Sequence, residues 1–260
     1  MIRRRRWIKS RVVLIAAGLL LALGLTACGG SSATPAATGS ATAAGSGSPS
    51  ELTLQAAPWT ATEKDAYQVV DAKGKELGTT EFTFANQTNQ WTISETDTIS
   101  QTIIDSKMTI DATTLKPIGE ERNVQSPQQN VKITSKYSGG KLDITAVVGT
   151  DTKNATIDVP ADAIDNDQVL MTMRAVDFKE GLQHKFTLVV SSSAQQLPTI
   201  VRVLSKESVT VPAGTFDTWK TELDLGQAGK LTCWYGADAP HLLVKEEQGQ
   251  ASFILTKTSN

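Results

Sequence analysis

The sequence predicts an all-β fold with one short helix, an antiparallel sheet curved into a barrel or half-barrel. Three observations carry this. From Ala66 onward apolar and polar residues alternate with a period of two, as in strands with one buried face. Threonine and serine fill the solvent-side positions, which suits a wet sheet surface. Turn-forming clusters interrupt these runs at short intervals, giving a meander, and a meander of many strands curls or closes.

The elements follow in order. "AYQVVD", a Lys-Gly-Lys turn and "ELGTTEFTFA" form a hairpin, with Phe82 and Phe84 alternating against Thr and Glu. "QWTISETDTISQTII" continues as one long, half-polar alternation. "VKITSKY", "SGGK" and "LDITAVV" make the clearest hairpin: Val131 and Ile133, then Leu142 and Ile144, keep period two around a Gly-Gly turn. "IDNDQVLMTMRAVDF" breaks the pattern. It spaces Val169, Leu170, Met173 and Val176 as in a helix near residues 166–177, and Asp165 with Gln168 resembles a capping box. Asp162, Asp165 and Asp167 raise the thought of calcium. Their loop lacks the glycine and closing glutamate of a calcium hand, so they read as a charged helix entrance. Beyond it, "KFTLVVS", "TIVRVLSKESVTV", "FDTWKTELDL", "KLTCWYG", "HLLVKEE" and "ASFILTKT" complete the meander.

One turn carries a specific pattern. In Val211-Pro212-Ala213-Gly214, proline in second place and glycine in fourth suit a type I turn, and Phe216 opens the returning strand. Further on come Trp234-Tyr235 and the run from Pro240 to Lys245. The order "VPAG-F", "WY", "P-LLVK" resembles a group of exported bacterial β-rich domains of unknown function, found in lipoproteins and periplasmic proteins. The likeness runs from about Tyr67 to Leu255, with its specific motifs in the final third. It implies a curved β-sheet akin to the half-barrel of bacterial lipoprotein carriers. It brings no catalytic residues with it.

The N-terminus reads as an export signal. Arg3 to Arg6, Lys9 and Arg11 form a basic region, followed by an uncharged apolar run from Val12 to Leu25. That run is shorter than the roughly 20 residues a membrane span needs, and it suits a signal peptide. "LTAC", ending at Cys28, resembles the bacterial lipobox, which implies removal of residues 1–27 and acylation of Cys28. "RRRRWIK" resembles a twin-arginine signal, but four successive arginines satisfy any such pattern, so the general secretory route is the simpler reading. Residues 28–50 are uncharged Gly, Ser, Ala, Thr and Pro after the cysteine, a composition unable to bury a core. As a coil they would hold the next domain about 25 Å from the membrane. Two or three acyl chains suffice for stable anchoring. The expected organisation is signal peptide 1–27, lipidated linker 28–50, and a single β-rich domain 51–260.

Composition excludes several functions. Six of the 25 basic residues lie in the signal, leaving 19 against 27 acidic ones in the remainder, a net charge near −8. Arg122, Arg174 and Arg202 are the arginines beyond it, so nucleic acid is not an expected partner. Anionic head groups gain nothing from such a surface either, leaving the acyl chains as the membrane contact. With Cys28 lipidated, Cys233 has no intramolecular partner, and the domain does without a disulfide.

Catalytic chemistry has few candidates. Cys233 and His241 lie eight residues apart across a turn and invite a thiol–imidazole reading. That chemistry needs an electropositive, accessible setting, whereas Cys233 shares a strand face with Leu231 and Tyr235. There is no G-x-S-x-G elbow, no zinc motif around His184 and His241, and no phosphate loop. Glu246 and Glu247 are adjacent and point to opposite faces of a strand, and acids far apart in sequence could still converge. Aromatics are too few for a broad carbohydrate platform. The expectation is a membrane-anchored, extracytoplasmic lipoprotein, monomeric and without cofactor or metal. It would be non-catalytic and bind an apolar or lipidic ligand or an envelope partner on its curved sheet. The competing expectation is an envelope hydrolase or thiol enzyme using Cys233, His241 or dispersed acids.

Overall fold

A computed structural model describes residues 48–259. The signal segment, Cys28 and most of the linker lie outside the described residues.

One sheet organises the domain. Its long strands are β2 (Lys64–Asp71), β3 (Glu76–Gln87), β4 (Gln90–Ile99), β5 (Thr102–Asp111), β6 (Pro117–Gln125), β7 (Asn130–Ser138), β8 (Lys141–Val148) and β9 (Asp151–Asp158). They are followed by β11 (Gln183–Val190), β12 (Gln195–Val211), β13 (Gly214–Asp224), β14 (Lys230–Gly236), β15 (Leu243–Gln248) and β16 (Ala251–Ser259). The order runs from β11 through β16, then from β2 through β9, and every neighbouring pair of these is antiparallel. Pairing of β16 with β2 makes the sheet continuous across the two halves of the chain. The short strands β1 (Ser50–Glu51) and β10 (Ala163–Asp165) add to β11 in parallel. The sheet is curved and does not close. At its seam, Gln196 Nε2 donates to the Asp158 carbonyl at 2.6 Å.

The chain crosses from β9 at one end of the sheet to β11 at the other through residues 159–182. This crossover carries helix α1 (Asn166–Thr172) and a following 3₁₀ turn, Met173–Ala175. The helix lies where the sequence places it but is capped differently. Asp165 accepts from the Asp167 amide at 2.9 Å, as an N-cap should. Gln168 does not reciprocate as a capping box would. Its amide donates to the Leu115 carbonyl at 2.9 Å and the Thr172 hydroxyl at 3.0 Å. The physical reason is burial: Asn166 to Val169, Met171 and Thr172 are all buried, so polar groups of α1 find tertiary partners rather than water.

Other strands depart from the sequence reading. "QWTISETDTISQTII" is two strands, β4 and β5, because Ser100 adopts φ 57° and turns the chain without glycine, proline or asparagine. The sequence reading does not anticipate β6 or β9. In β6 the inward positions hold Glu120 and Arg122, so apolar alternation is lost. In β9 nearly every residue is exposed and no face is apolar. By contrast, the Gly139–Gly140 hairpin forms as expected, with φ of 60° and 74° that suit glycine.

The main core joins Tyr67, Phe82, Phe84, Ile93, Met108 and Ile110 on the early strands to Leu223, Leu231 and Leu255 on the late ones. Val169, Met171, Met173 and Val176 from the crossover pack into the same core. The N-terminal segment runs across this body: the Leu52 amide donates to Lys185 O at 3.1 Å, and that of Gln55 to Ala175 O at 2.7 Å. Trp59 then stacks on Phe84, ring centroids 5.2 Å apart.

Candidate functional site: the polar interior around the crossover helix

The inward positions of a curved sheet are ordinarily apolar. Here several strands interrupt that face with charge. Alternation along β4 points Ile93, Glu95 and Asp97 the same way, all buried. Asp65 accompanies Tyr67 and Val69 on β2, Glu120 and Arg122 face inward from β6, and Glu246 from β15.

Arg174, fully buried, organises one group. Its Nη1 is 2.6 Å from Glu63 Oε1 and 3.3 Å from Asp65 Oδ2. Nη2 and Nε donate to the Pro240 carbonyl at 3.2 and 3.3 Å. The guanidinium carbon also lies 5.9 Å from the Trp59 ring and 5.7 Å from that of Phe84. Thr258 donates to Asp65 at 2.6 Å. Even so, burial pushes the Asp65 carboxyl up to about 6.

Arg122 organises the second group through a buried ion pair with Asp167 in the first turn of α1. Burial opposes the charge on both, and the pairing outweighs it: Asp167 falls below the usual carboxylate range, and Arg122 holds its proton more firmly than a free guanidinium. The neighbouring acids move the other way. Burial and then Asp167 push Asp165 up to about 7, with the Tyr137 hydroxyl donating to it. Burial lifts Glu120 well above its ordinary range, although Ser191 donates to it at 2.5 Å. On β4, burial raises Asp97 to about 6 despite a 2.5 Å bond from Thr80, and burial also lifts Glu95 well above its ordinary range.

Glu246 completes the interior. It is fully buried opposite Cys233 on β14 and Phe253 on β16, and neither carboxylate oxygen has a hydrogen-bond partner. Burial, then Asp97, pushes it up to about 8.

The residues singled out from sequence sit around this interior in other roles. Cys233 is fully buried between Leu231 and Tyr235, and burial drives its thiol well above the ordinary value, the reverse of a nucleophile. His241 turns its Nδ1 to the Gly236 carbonyl at 2.8 Å and its ring to Phe178 at 5.1 Å. The structure thus gives each its own packing partners, with no thiol–imidazole contact. His184 lies at the sheet's end, its Nδ1 2.9 Å from the Ser50 hydroxyl. Tyr235 donates to the Leu170 carbonyl of α1 at 3.0 Å, and Tyr67 to Leu243 O at 2.8 Å. Pro240 supplies the carbonyl that Arg174 grips. Trp234 lies on the outer face, bonded to Glu207 at 2.5 Å and flanked by Lys220 and Lys245 at 5.1 and 4.9 Å. Pro212 and Gly214 make the tip of the β12–β13 hairpin, where Val211 pairs with Gly214 and Phe216 packs half-buried on the core. The Ala213 amide donates to Leu255 O at 3.2 Å, beside the register shift of β16.

Sequence reading missed the interior acids Glu63, Asp65, Glu95, Asp97 and Glu120, and the partners of Arg122 and Arg174. A signal existed for some: in "WTISETDTI", Glu95 and Asp97 keep phase with Ile93. Two open hollows lie on the surface of the described residues. One, of about 460 Å³, is lined by residues including Asp105, Asn123, Gln125 and Lys132. The other, of about 510 Å³, includes Glu51, Asp162, Lys185 and Pro198. Both are open and of mixed polarity. Among the described residues, no group of three or more His, Cys, Asp or Glu is placed to hold a metal ion, and no helix is long and apolar enough to cross a membrane.

A curved, open β-sheet wrapped around a crossover helix is the class of domain these features define. Residues 66–249 match the family described as protein of unknown function DUF3108, and the chain belongs to that family. Among solved structures it is similar to a β-barrel-like DUF1849 protein from Brucella abortus. The two are 11% identical with a TM-score of 0.50, over 75% of this chain and 96% of that one. A protein from Bacteroides fragilis, provisionally described as exported and of YmcC-like fold, is 9% identical with a TM-score of 0.31, over 80% of this chain and 100% of its own. A protein from Parabacteroides distasonis, provisionally described as a lipoprotein, is 13% identical with a TM-score of 0.32, over the same shares. Comparison with curated proteins returns no match. The Brucella likeness is one of fold.

Proposed function

We propose that the protein is an exported lipoprotein, anchored through acylated Cys28, whose single domain 51–260 is a non-catalytic binding module for an envelope partner. The signal-like residues 1–27, the lipobox ending at Cys28 and the uncharged linker support the anchoring. One observation carries the choice of an outer-surface partner over an enclosed lipid: α1 and its ion-paired arginines occupy the concave side of the sheet, where a carrier would hold its ligand. The domain acts as a monomer, and its membrane contact is the lipid.

The enzymatic alternative finds little support. Cys233 is sealed in the core with a raised pKa, and the acids with raised pKa are likewise buried, out of a substrate's reach.

Membrane fractionation of cells expressing the full chain tests the anchor. Wild type is expected in the membrane fraction with acyl groups on Cys28 by mass spectrometry, and Cys28→Ser in the soluble extracytoplasmic fraction or unprocessed. Equal membrane retention of both would refute it.

A further inference from the structure

Among the described residues the interior buries eight acids, Glu63, Asp65, Glu95, Asp97, Glu120, Asp165, Asp167 and Glu246, against two arginines, Arg122 and Arg174. An uncompensated carboxylate in such a place is prohibitively costly, and the group takes up a proton instead. The geometry shows where. Glu120 lies within hydrogen-bond reach of Asp167, so two carboxyls meet beside one guanidinium, a contact that needs a proton on one of them. Glu246 has no donor to either oxygen. Around it stand Asp97 and Glu95 on β4, Cys233 and Tyr235 on β14, and Tyr67 on β2, none of them a cation.

We propose that α1 is a proton-locked plug: protons held on the carboxyls of Glu120 and Glu246 keep the helix seated in the sheet, and their loss loosens it.

The coupling is direct at Glu120 and runs through Tyr235 at Glu246. Ionised Glu120 would set a second carboxylate against Asp167, the residue by which Arg122 holds the first turn of α1. Asp165 on the same helix end and Tyr137 on β7 feel that charge too, while Ser191 and Ser135 donate to Glu120 Oε2. Ionised Glu246 would charge the pocket of Tyr235, whose hydroxyl holds the Leu170 carbonyl of α1.

The sign follows from linkage. Glu246 is raised from 4.5 to about 8, and Glu120 is raised in the same direction, so the folded state keeps protons that the open state releases. The Glu246 contribution is complete below pH 4.5 and is lost as pH rises through about 8, and that of Glu120 is lost in the same direction. The open fraction then grows up to roughly tenfold per pH unit for each proton released.

Hydrogen exchange of the full chain in detergent tests this, read at α1 and at β3–β5 between pH 6 and 9 and corrected for intrinsic base catalysis. Protection of α1 is expected to fall with pH while that of β3–β5 persists. Glu120→Gln and Glu246→Gln, which mimic the protonated groups, should each flatten the slope. Glu121→Gln, on the exposed face of β6, should leave it unchanged. Protection of α1 that does not vary with pH in wild type would overturn the proposal, whether or not the variants fold. So would either glutamine variant keeping the wild-type slope.

Discussion

Arg122 and Arg174 show how much of this fold turns on single side chains. Each is buried among acids, so removing one strands carboxylates that no water can reach. Replacing Arg174 by Leu deprives Glu63 and Asp65 of their cation and Pro240 O of two donors. Breaking a buried pair this way costs about 3–5 kcal/mol, which urea unfolding would register as an earlier midpoint with an unchanged slope. Cys233 makes a second residue-scale prediction. With its thiol fully buried and its pKa raised, it should resist aqueous thiol reagents in the folded chain and react fully in denaturant. Sequence reading judged Cys233 well, because hydrophobic neighbours at period two betray a core position. It could not judge Glu95 or Glu120. A charged residue in phase with an apolar face looks like a solvated one until the partner arrives from 45 residues away, as Asp167 does for Arg122.

At the scale of elements, what proved legible was what local chemistry dictates. The Gly139–Gly140 hairpin, the Pro212 turn and the late meander follow from turn residues and alternation. The break at Ser100 did not show, since serine in a left-handed conformation carries no sequence signature of its own. Strand β9 was hidden because exposure on both faces erases the alternation. The socket of α1 is built by tertiary contacts and so was equally hidden. Tyr235→Phe should therefore lower stability by about 1–2 kcal/mol through the lost bond to Leu170, with packing preserved. Gly78 on β3 is a harsher case, as a Cβ there would meet the Thr98 carbonyl of β4 at 2.0 Å. Gly78→Ala should force the β3–β4 pair apart and cost more than Tyr235→Phe in the same denaturation experiment.

Over the whole molecule, the sheet, the crossover and the charge balance form one design. A sheet that does not close leaves an interior to fill, and the crossover joining its two ends fills it. The raised acids make global stability fall from mildly acidic to mildly alkaline pH, since Asp65, Asp97, Asp165 and Glu246 move from 3.8–4.5 unfolded to between about 6 and 8 folded. Asp167, depressed by Arg122, acts oppositely, and its share is lost only at pH below its ordinary 3.8. Melting temperature should accordingly be highest near about pH 4 and decline from there toward pH 8. Helix α1, rather than a ligand, fills this interior. Native mass spectrometry of the full chain, purified in detergent and stripped of it in the gas phase, tests that most directly. The expected mass is that of the protein with its covalent acyl groups on Cys28 alone; a further, non-covalent lipid bound one to one would contradict it.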